Sequence, residues 1–338
     1  MSPRTLNDIG EDGVIQLIHG RWLASLPPRV RKGIGEDCAV LETDGDSLLL
    51  VTMDTLIEGI HFTAETLPPQ ALGWKALAVN ISDIAAVGGT PHTAFLSIGT
   101  KSETEVSFVE SFMAGFEAMA TKAGIVLAGG DTVESPSGAV ITITLLGGGL
   151  PEHLVYRSGA KIGDDIWVTG TLGNAAAGLF VLLNKKTSEL AGYESLIAAL
   201  QRPMPQLEIG KALGQSRLIH AMIDISDGVA KDLRHICEES GTGALVHASS
   251  IPMSDEMRKL ALMVDKDPLD WALRGGEDYE ILFTASPANE KQVVSLTAEV
   301  LGTPAVKIGT IDREDGIQLE TDEGSQLLKP GGYMHFSK

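Results

Sequence analysis

The sequence predicts a mixed α/β protein, α/β or two-layer α+β, made of two units. Three observations carry this. Strand-like apolar runs alternate with helical patterns along the whole chain, 338 residues suffice for two separate cores, and a glycine triplet, Gly147-Gly148-Gly149, stands near the middle. The expected division is 1–149 and 150–338.

Residues 6–24 predict a helix with Ile15, Leu17 or Ile18, and Trp22 turned inward; acids at its start suit the positive end of the helix dipole, and Pro27-Pro28 end it. Strands over 38–42 and 47–53 are joined by the turn Asp44-Gly45-Asp46. Pro68-Pro69 open a helix over 70–87 with Leu72, Ala76, Val79 and Ala86 on its apolar side, and Gly88-Gly89 end it. A strand at 93–99 and a helix at 104–123 capped by Gly124 follow, then a short strand at 125–128, the turn Gly129-Gly130-Asp131-Thr132 and an alternating strand at 140–146. The second unit predicts strands at 165–169, 220–224, 243–247, 279–285, 305–310 and 315–319. Helices lie between them near 173–184, 192–201, 205–215, 227–239, 254–264 and 287–298.

Lys and Arg number 26 against 45 Asp and Glu, a net charge of −19. Such a field repels nucleic acid, and it repels a nucleotide unless cations intervene. Two cysteines, Cys38 and Cys237, make neither a disulfide framework nor a thiolate metal site, which points to the reducing cytoplasm. No apolar run reaches ~18 residues and the first residues hold no apolar signal core, so no membrane span is expected. The phosphate loop G-x-x-x-x-G-K-[ST], the dinucleotide turn G-x-G-x-x-G, the zinc motif H-E-x-x-H and the nucleophile turn G-x-S-x-G are all missing from the sequence.

Carboxylates remain. Asp37 lies in the glycine turn Gly33–Ala39 and Asp54 ends the apolar run 48–55; Asp83, Asp131, Asp224 and Asp227 each fall at a strand end, a glycine-bearing turn or a helix position. Aspartate is short and rigid, which suits the octahedral demand of Mg²⁺. Brought together without metal, such acids repel one another and hold their protons more tightly; cations relieve the repulsion and recruit phosphates. Asn80 and Asp83, three apart, share a helix face that is either a solvated stripe or turned to a ligand. In Asp224-Ile225-Ser226-Asp227-Gly228, Ser226 either donates to a phosphate at a helix N-terminus or, like Asp227, caps the helix.

Taken in order, GIGEDCA, TMDTLIEGIHF, KALAVNISDIAAVGG, GGDT, RSGAKIGD, VTGTLG, IDISDG, GGEDYEILF and GGYMHF resemble the motifs of the thiamine-monophosphate kinases, a family within the superfamily related to aminoimidazole ribonucleotide synthetase. The resemblance runs from about residue 7 to 336. It implies ATP-dependent phosphorylation of thiamine monophosphate to thiamine diphosphate by direct in-line transfer, assisted by several Mg²⁺ ions, with a role for K⁺ left open. It also implies a homodimer joined through an intersubunit β-barrel, for which 38–53, 93–99 and 140–146 are the candidate strands.

The resemblance places metal ligands at Asp37, Thr52, Met53 (through its backbone), Asp54, Asp83, Asp131, Asp224 and Asp227, with Asp37, Asp83, Asp131 and Asp227 central to catalysis. ATP contacts fall on Gly130, Asp131, Arg157 and Ser226, and substrate contacts on His61, Glu277 and Tyr333. An attacking phosphate oxygen is already anionic near pH 7, so alignment and charge neutralisation suffice. Arg157 suits bidentate phosphate pairing, Tyr333 offers a face to a thiazolium cation, and Glu277 accepts from an aminopyrimidine. From the residues alone, the other readings are a core histidine for His61 beside Phe62, packing for Tyr333, and a solvated turn for Glu277-Asp278. Three positions depart from the family pattern: Met53 where Ser-Thr-Asp is usual at 52–54, Glu36 where Asp is common, and Glu134 where Arg is frequent. The alternatives are another ATP-dependent enzyme of the superfamily and a non-catalytic regulator that binds magnesium nucleotide.

Overall fold

A strand that alternates apolar and polar residues buries one face, and a uniformly apolar strand buries two; the two halves of this chain differ in that way. The computed structural model describes residues 5–22, 27–184, 192–329, 331–332 and 334–336, so the expectations at Leu23, Ala24 and Tyr333 lie outside the described residues. The first half runs α1 (Gly10–Trp22), β1 (Val30–Lys32), β2 (Ala39–Leu41), β3 (Leu48–Ile57), α2 (Pro69–Ala86), β4 (Thr90–Thr100), α3 (Val106–Ala123), β5 (Val126–Glu134) and β6 (Val140–Gly149). Its sheet has the order β1-β2-β3-β6-β4-β5, antiparallel except for the parallel pair β4–β5. Ile141, Ile143 and Leu145 of β6 point to one side, where they meet Leu50 of β3, Leu72 and Leu77 of α2 and Phe112 and Phe116 of α3 in one core.

The second half runs β7 (Asp165–Val168), α4 (Asn174–Asn184), α5 (Glu194–Gln201), α6 (Leu207–Ser216), β8 (Ile219–Asp224), α7 (Val229–Ser240), β9 (Gly243–His247), α8 (Asp255–Met263), α9 (Pro268–Arg274), β10 (Ile281–Ala285), α10 (Glu290–Leu301), β11 (Val306–Asp312), β12 (Ile317–Thr321) and β13 (Gly324–Leu327). The sheet order is β13-β12-β9-β11-β7-β10-β8, with β12–β9 its parallel pair. Here both faces are covered. Ile166, Val168, Ile223 and Leu282 pack against Val181, Leu233, Ile236 and Leu260, while the intervening Trp167, Met222 and Phe283 pack against Ile209, Leu213 and Val293. That is why these strands read as unbroken apolar runs.

Several expectations are corrected. Gly129-Gly130-Asp131-Thr132 is no turn: β5 runs straight through it beside β4, whose register slips between Ala94 and Phe95. The backbones come so close there that a Cβ on Gly130 would stand 1.7 Å from the Leu96 carbonyl oxygen, so this glycine serves close approach and not chain reversal. Gly147–Gly149 likewise stay within β6, paired to Leu48–Leu50. In α1 the predicted inner residues Ile15, Leu17, Ile18 and Trp22 are exposed; the helix is tied down near its start by Asp12–Arg234 and Glu11–Lys231 ion pairs. Periodicity gave an apolar stripe there without a neighbour to cover it. Three short elements went unpredicted: β1, three residues long with none fully buried, β13, which is exposed throughout, and α9, which Asp267 caps by accepting from the Leu269 N–H at 2.9 Å ahead of Pro268.

Candidate active site

Helix α2 carries the site because it is buried on nearly every side and still holds polar residues. Lys75, Asn80 and Ser82 are almost fully buried, which is affordable only with partners. Asn80 accepts from the Asp54 N–H at 3.2 Å and donates to the Ala76 carbonyl at 3.0 Å. Ser82 donates to Asp224 Oδ2 at 2.6 Å, joining α2 to the end of β8, and Asp83 accepts from the Thr52 hydroxyl. Lys75 Nζ lies 2.6 Å from Glu277 Oε1 in the loop before β10.

These anchors bring three carboxylates together: oxygens of Asp37, Asp83 and Asp224 all lie within 4.8 Å of one another. Asp54 joins them through a side-chain hydrogen bond with Asp83. Its place follows from β3, where alternation puts Leu50, Thr52 and Asp54 on the inner face and Met53 outside, 65% exposed. Arg157 donates from Nε (3.1 Å) and Nη2 to Asp37 Oδ1 and from Nη1 to the Gly35 carbonyl at 3.2 Å. The guanidinium expected to meet phosphate is thus engaged with the acids.

Burial is the largest influence on every acid here, and it favours the protonated form. It pushes Asp224 up to about 8, with Asp37 adding to the rise and the Ser82 hydrogen bond and Arg157 opposing it. Asp54 rises to about 6, against the hydrogen bond from Asp83. Asp83 rises well above the usual range, driven by burial and then by Asp54, Asp224 and Asp37; Asp37 rises too, although Arg157 pulls it down. Asp37 Oδ2 is buried without a hydrogen-bond partner among the described residues. An all-oxygen donor set, crowded, buried and incompletely satisfied, fits a hard divalent cation.

The cluster opens into a cleft of about 750 Å³, whose walls include Asp54, His61, Ser226, Asp227, Glu277 and Tyr279. His61 accepts from the Ile57 N–H at Nδ1 (2.9 Å), with His335 Nε2 at 3.3 Å from its Nε2; burial and then His335 lower its pKa. Asp227 pairs with Lys231 at 2.6 Å. Neither capping arrangement expected at Ser226-Asp227 is present. Gly228 is the N-cap of α7, and Asp232 from within the helix accepts the N–H groups of Asp227 (3.2 Å) and Gly228 (2.9 Å), so these two backbone donors are already engaged. Gly130 and Asp131 stand apart from the carboxylate group, on the exposed edge strand β5, where Asp131 Oδ1 accepts from the Thr132 N–H at 2.9 Å.

Residues 35–149 match the family model for the AIR synthase related protein N-terminal domain, and residues 161–322 match that for its C-terminal domain. The thiamine-monophosphate kinase of Salmonella typhimurium is 38% identical over 312 residues, covering 91% of this chain and 93% of that one. The thiamine-monophosphate kinase of Synechococcus elongatus is 34% identical, covering 100% and 99%. The chain belongs to the thiamine-monophosphate kinase family. Among solved structures, AaThiL complexed with AMPPCP and TMP matches this family member with a TM-score of 0.86 and 32% identity, over 99% of this chain and 100% of that one.

Residues of the site that escaped the sequence reading include Lys75, Ser82, Lys231 and Asp232. Lys75 had a legible signal, since 75, 79 and 83 follow one another at helical spacing and so share the face that presents Asp83. Asp232 had a weaker one, an acid in the first turn after Gly228.

Proposed function

We propose that this chain transfers the terminal phosphoryl group of ATP to thiamine monophosphate, giving thiamine diphosphate and ADP by in-line displacement. The observation that carries the reading is the convergence of Asp37, Asp54, Asp83 and Asp224 at the base of the cleft, in a family whose named members are thiamine-monophosphate kinases. These four acids would hold the magnesium ions, which supply charge neutralisation to the phosphates when bound. Thr52 and Ser82 orient Asp83 and Asp224 by hydrogen bonds, and Arg157 orients Asp37, so the donor oxygens are fixed before substrate arrives. Ser226 and Asp227 border the phosphates, and His61 and Glu277 border the acceptor, a role that the family resemblance also gives Tyr333. Met53 would ligate through its carbonyl, and its side chain, 65% exposed, points away from the cluster.

In this reading residues 1–149 bind metal and ATP and form the dimer contact, residues 150–338 complete the site, and the protein works in the cytoplasm. The dimer is supported by β5, an edge strand with all nine residues exposed, and by Met53, Phe95, Val126 and Val133, apolar residues exposed on the first sheet. Gly130 and Asp131 lie on that same strand, so their part in binding ATP belongs with the dimer. Sedimentation at micromolar concentration is expected to give a dimer, and a monomer would defeat that part. ADP release that depends on thiamine monophosphate is the test of the whole. Calorimetric binding of magnesium nucleotide without turnover would instead favour the regulator.

A further inference from the structure

Lys75 is a poor residue to bury. Its side chain is 2% exposed in a helix whose neighbouring positions, Leu72, Ala76 and Val79, are apolar, and a methionine would fill the same space without desolvating a charge. Its ammonium reaches out of α2, in the first half of the chain, to a single loop of the second half, 2.6 Å from Glu277 Oε1. That loop is held in an unusual backbone. Glu277 and Tyr279 have φ of 71° and 52°, the left-handed region that L-residues seldom enter. The strain is clamped from behind: the N–H groups of Glu277 and Tyr279 donate to the carbonyls of Ser226 (2.7 Å) and Ile225 (2.8 Å), and Asp278 accepts the Gly173 N–H at 2.7 Å. With the backbone fixed, the Glu277 side chain is the part left to position. It lines the cleft and is 30% exposed.

We propose that Lys75 is the positioning residue that makes Glu277 selective, so that the pair, and not the carboxylate alone, recognises an amine on the phosphate acceptor. Lys75 takes Oε1 and leaves Oε2 as an acceptor; a carboxylate so held receives a hydrogen-bond donor and rejects a carbonyl in its place. The inference rests on the kinase reading above and assigns the feature of the acceptor that the site reads. An acceptor whose pyrimidine amine is replaced by a carbonyl presents the wrong partner to Oε2. The two members of the pair are unequal: removing Lys75 leaves a carboxylate with access to water, whereas removing Glu277 leaves a buried ammonium without its partner.

The test is steady-state kinetics with thiamine monophosphate and with its 4-oxo analogue, in wild type, Lys75→Met, Lys75→Arg, Glu277→Gln and Lys75→Met/Glu277→Gln. Lys75→Met is expected to raise KM for thiamine monophosphate about tenfold and to shrink the preference for the amine by about the same factor, with kcat and KM for ATP within about twofold. Lys75→Arg, which keeps the charge, retains most of the preference, and Lys75→Met adds nothing once Glu277 is already glutamine. An unchanged preference in Lys75→Met, a parallel change in KM for ATP, or additive effects in the double variant would each overturn the proposal. Should Lys75→Met fail to fold, Glu277→Gln decides, and a wild-type preference in that variant overturns it equally. A wild type that releases no ADP in response to thiamine monophosphate ends the kinase reading and this inference with it. An active wild type with an indifferent Lys75→Met ends this inference alone.

Discussion

Asp37, Asp54, Asp83 and Asp224 crowd around one another beside Arg157, whereas Asp227 and Glu277, on the same cleft, each have a lysine 2.6 Å away. In the first group Asp224 is buried and the other three are half-buried, and the loss of water around them raises all four, Asp54 to about 6 and Asp224 to about 8. In the second group the countercharges, Lys75 and Lys231, come from α2 and α7 of the same chain. One residue chemistry therefore serves two purposes. Acids gathered without enough countercharge form a place for cations to enter, and acids supplied with lysines become fixed parts of the wall.

The largest difference should appear in Asp83→Asn and Asp224→Asn. Each is expected to cut turnover on the order of 10²-fold or more, as removal of a group aimed at transition-state charge does. In EDTA near pH 8 each should leave Tm unchanged or raise it by about 2–4 °C, because a repelling charge has been removed. A collapse of the fold in both would make these acids structural and erase the distinction between the two groups.

A pH series in EDTA isolates the same contrast without touching catalysis. The folded pKa values of Asp54 and Asp224 lie above the ordinary 3.8, so between about pH 4 and pH 8 the folded protein keeps protons that the unfolded chain has released. More protons bound in the folded state means that stability falls as pH rises across this window. The Tm of the wild type should therefore drop from ~pH 5 to ~pH 8.5, more steeply than that of Asp224→Asn, and added Mg²⁺ should flatten the wild-type slope. Parallel slopes for wild type and Asp224→Asn would remove Asp224 from the account.

The alternation of helices and strands was open to sequence reasoning because burial on one or two faces leaves a periodic trace: Val140–Leu146 alternates and Asp165–Val168 does not. The carboxylate convergence was legible in part, since Asp37, Asp54, Asp83 and Asp224 all sit where local pattern ends an element or interrupts an apolar face. Their lysine partners were not. Lys75 and Glu277 are about two hundred residues apart, and no local periodicity records which loop a helix will meet. Gly129-Gly130 misled for a related reason, because a glycine needed for close backbone approach looks the same in sequence as one needed to reverse the chain. The apolar side of α1 was read correctly as a stripe and wrongly as inward, since periodicity specifies a face and the partner comes from tertiary packing.

Asp227→Asn should behave in the opposite way to Asp83→Asn in stability, although the two acids read alike in sequence. Lys231 is 6% exposed and sits 2.6 Å from Asp227, with Glu11 further off at 3.5 Å. Burial pulls the lysine's pKa down, and Asp227 and then Glu11 overcome it, so that the net shift is upward. Neutralising Asp227 takes away the nearer countercharge while Glu11 stays, which should cost ~1–2 kcal/mol, less than the ~3–5 kcal/mol of a fully buried pair broken outright. Tm in EDTA should fall for Asp227→Asn where it holds or rises for Asp83→Asn. Adding Lys231→Met to Asp227→Asn should recover part of the loss, because the ammonium left short of charge is then gone. A rise in Tm for Asp227→Asn would place Asp227 with the crowded acids and make its contact with Lys231 incidental to folding.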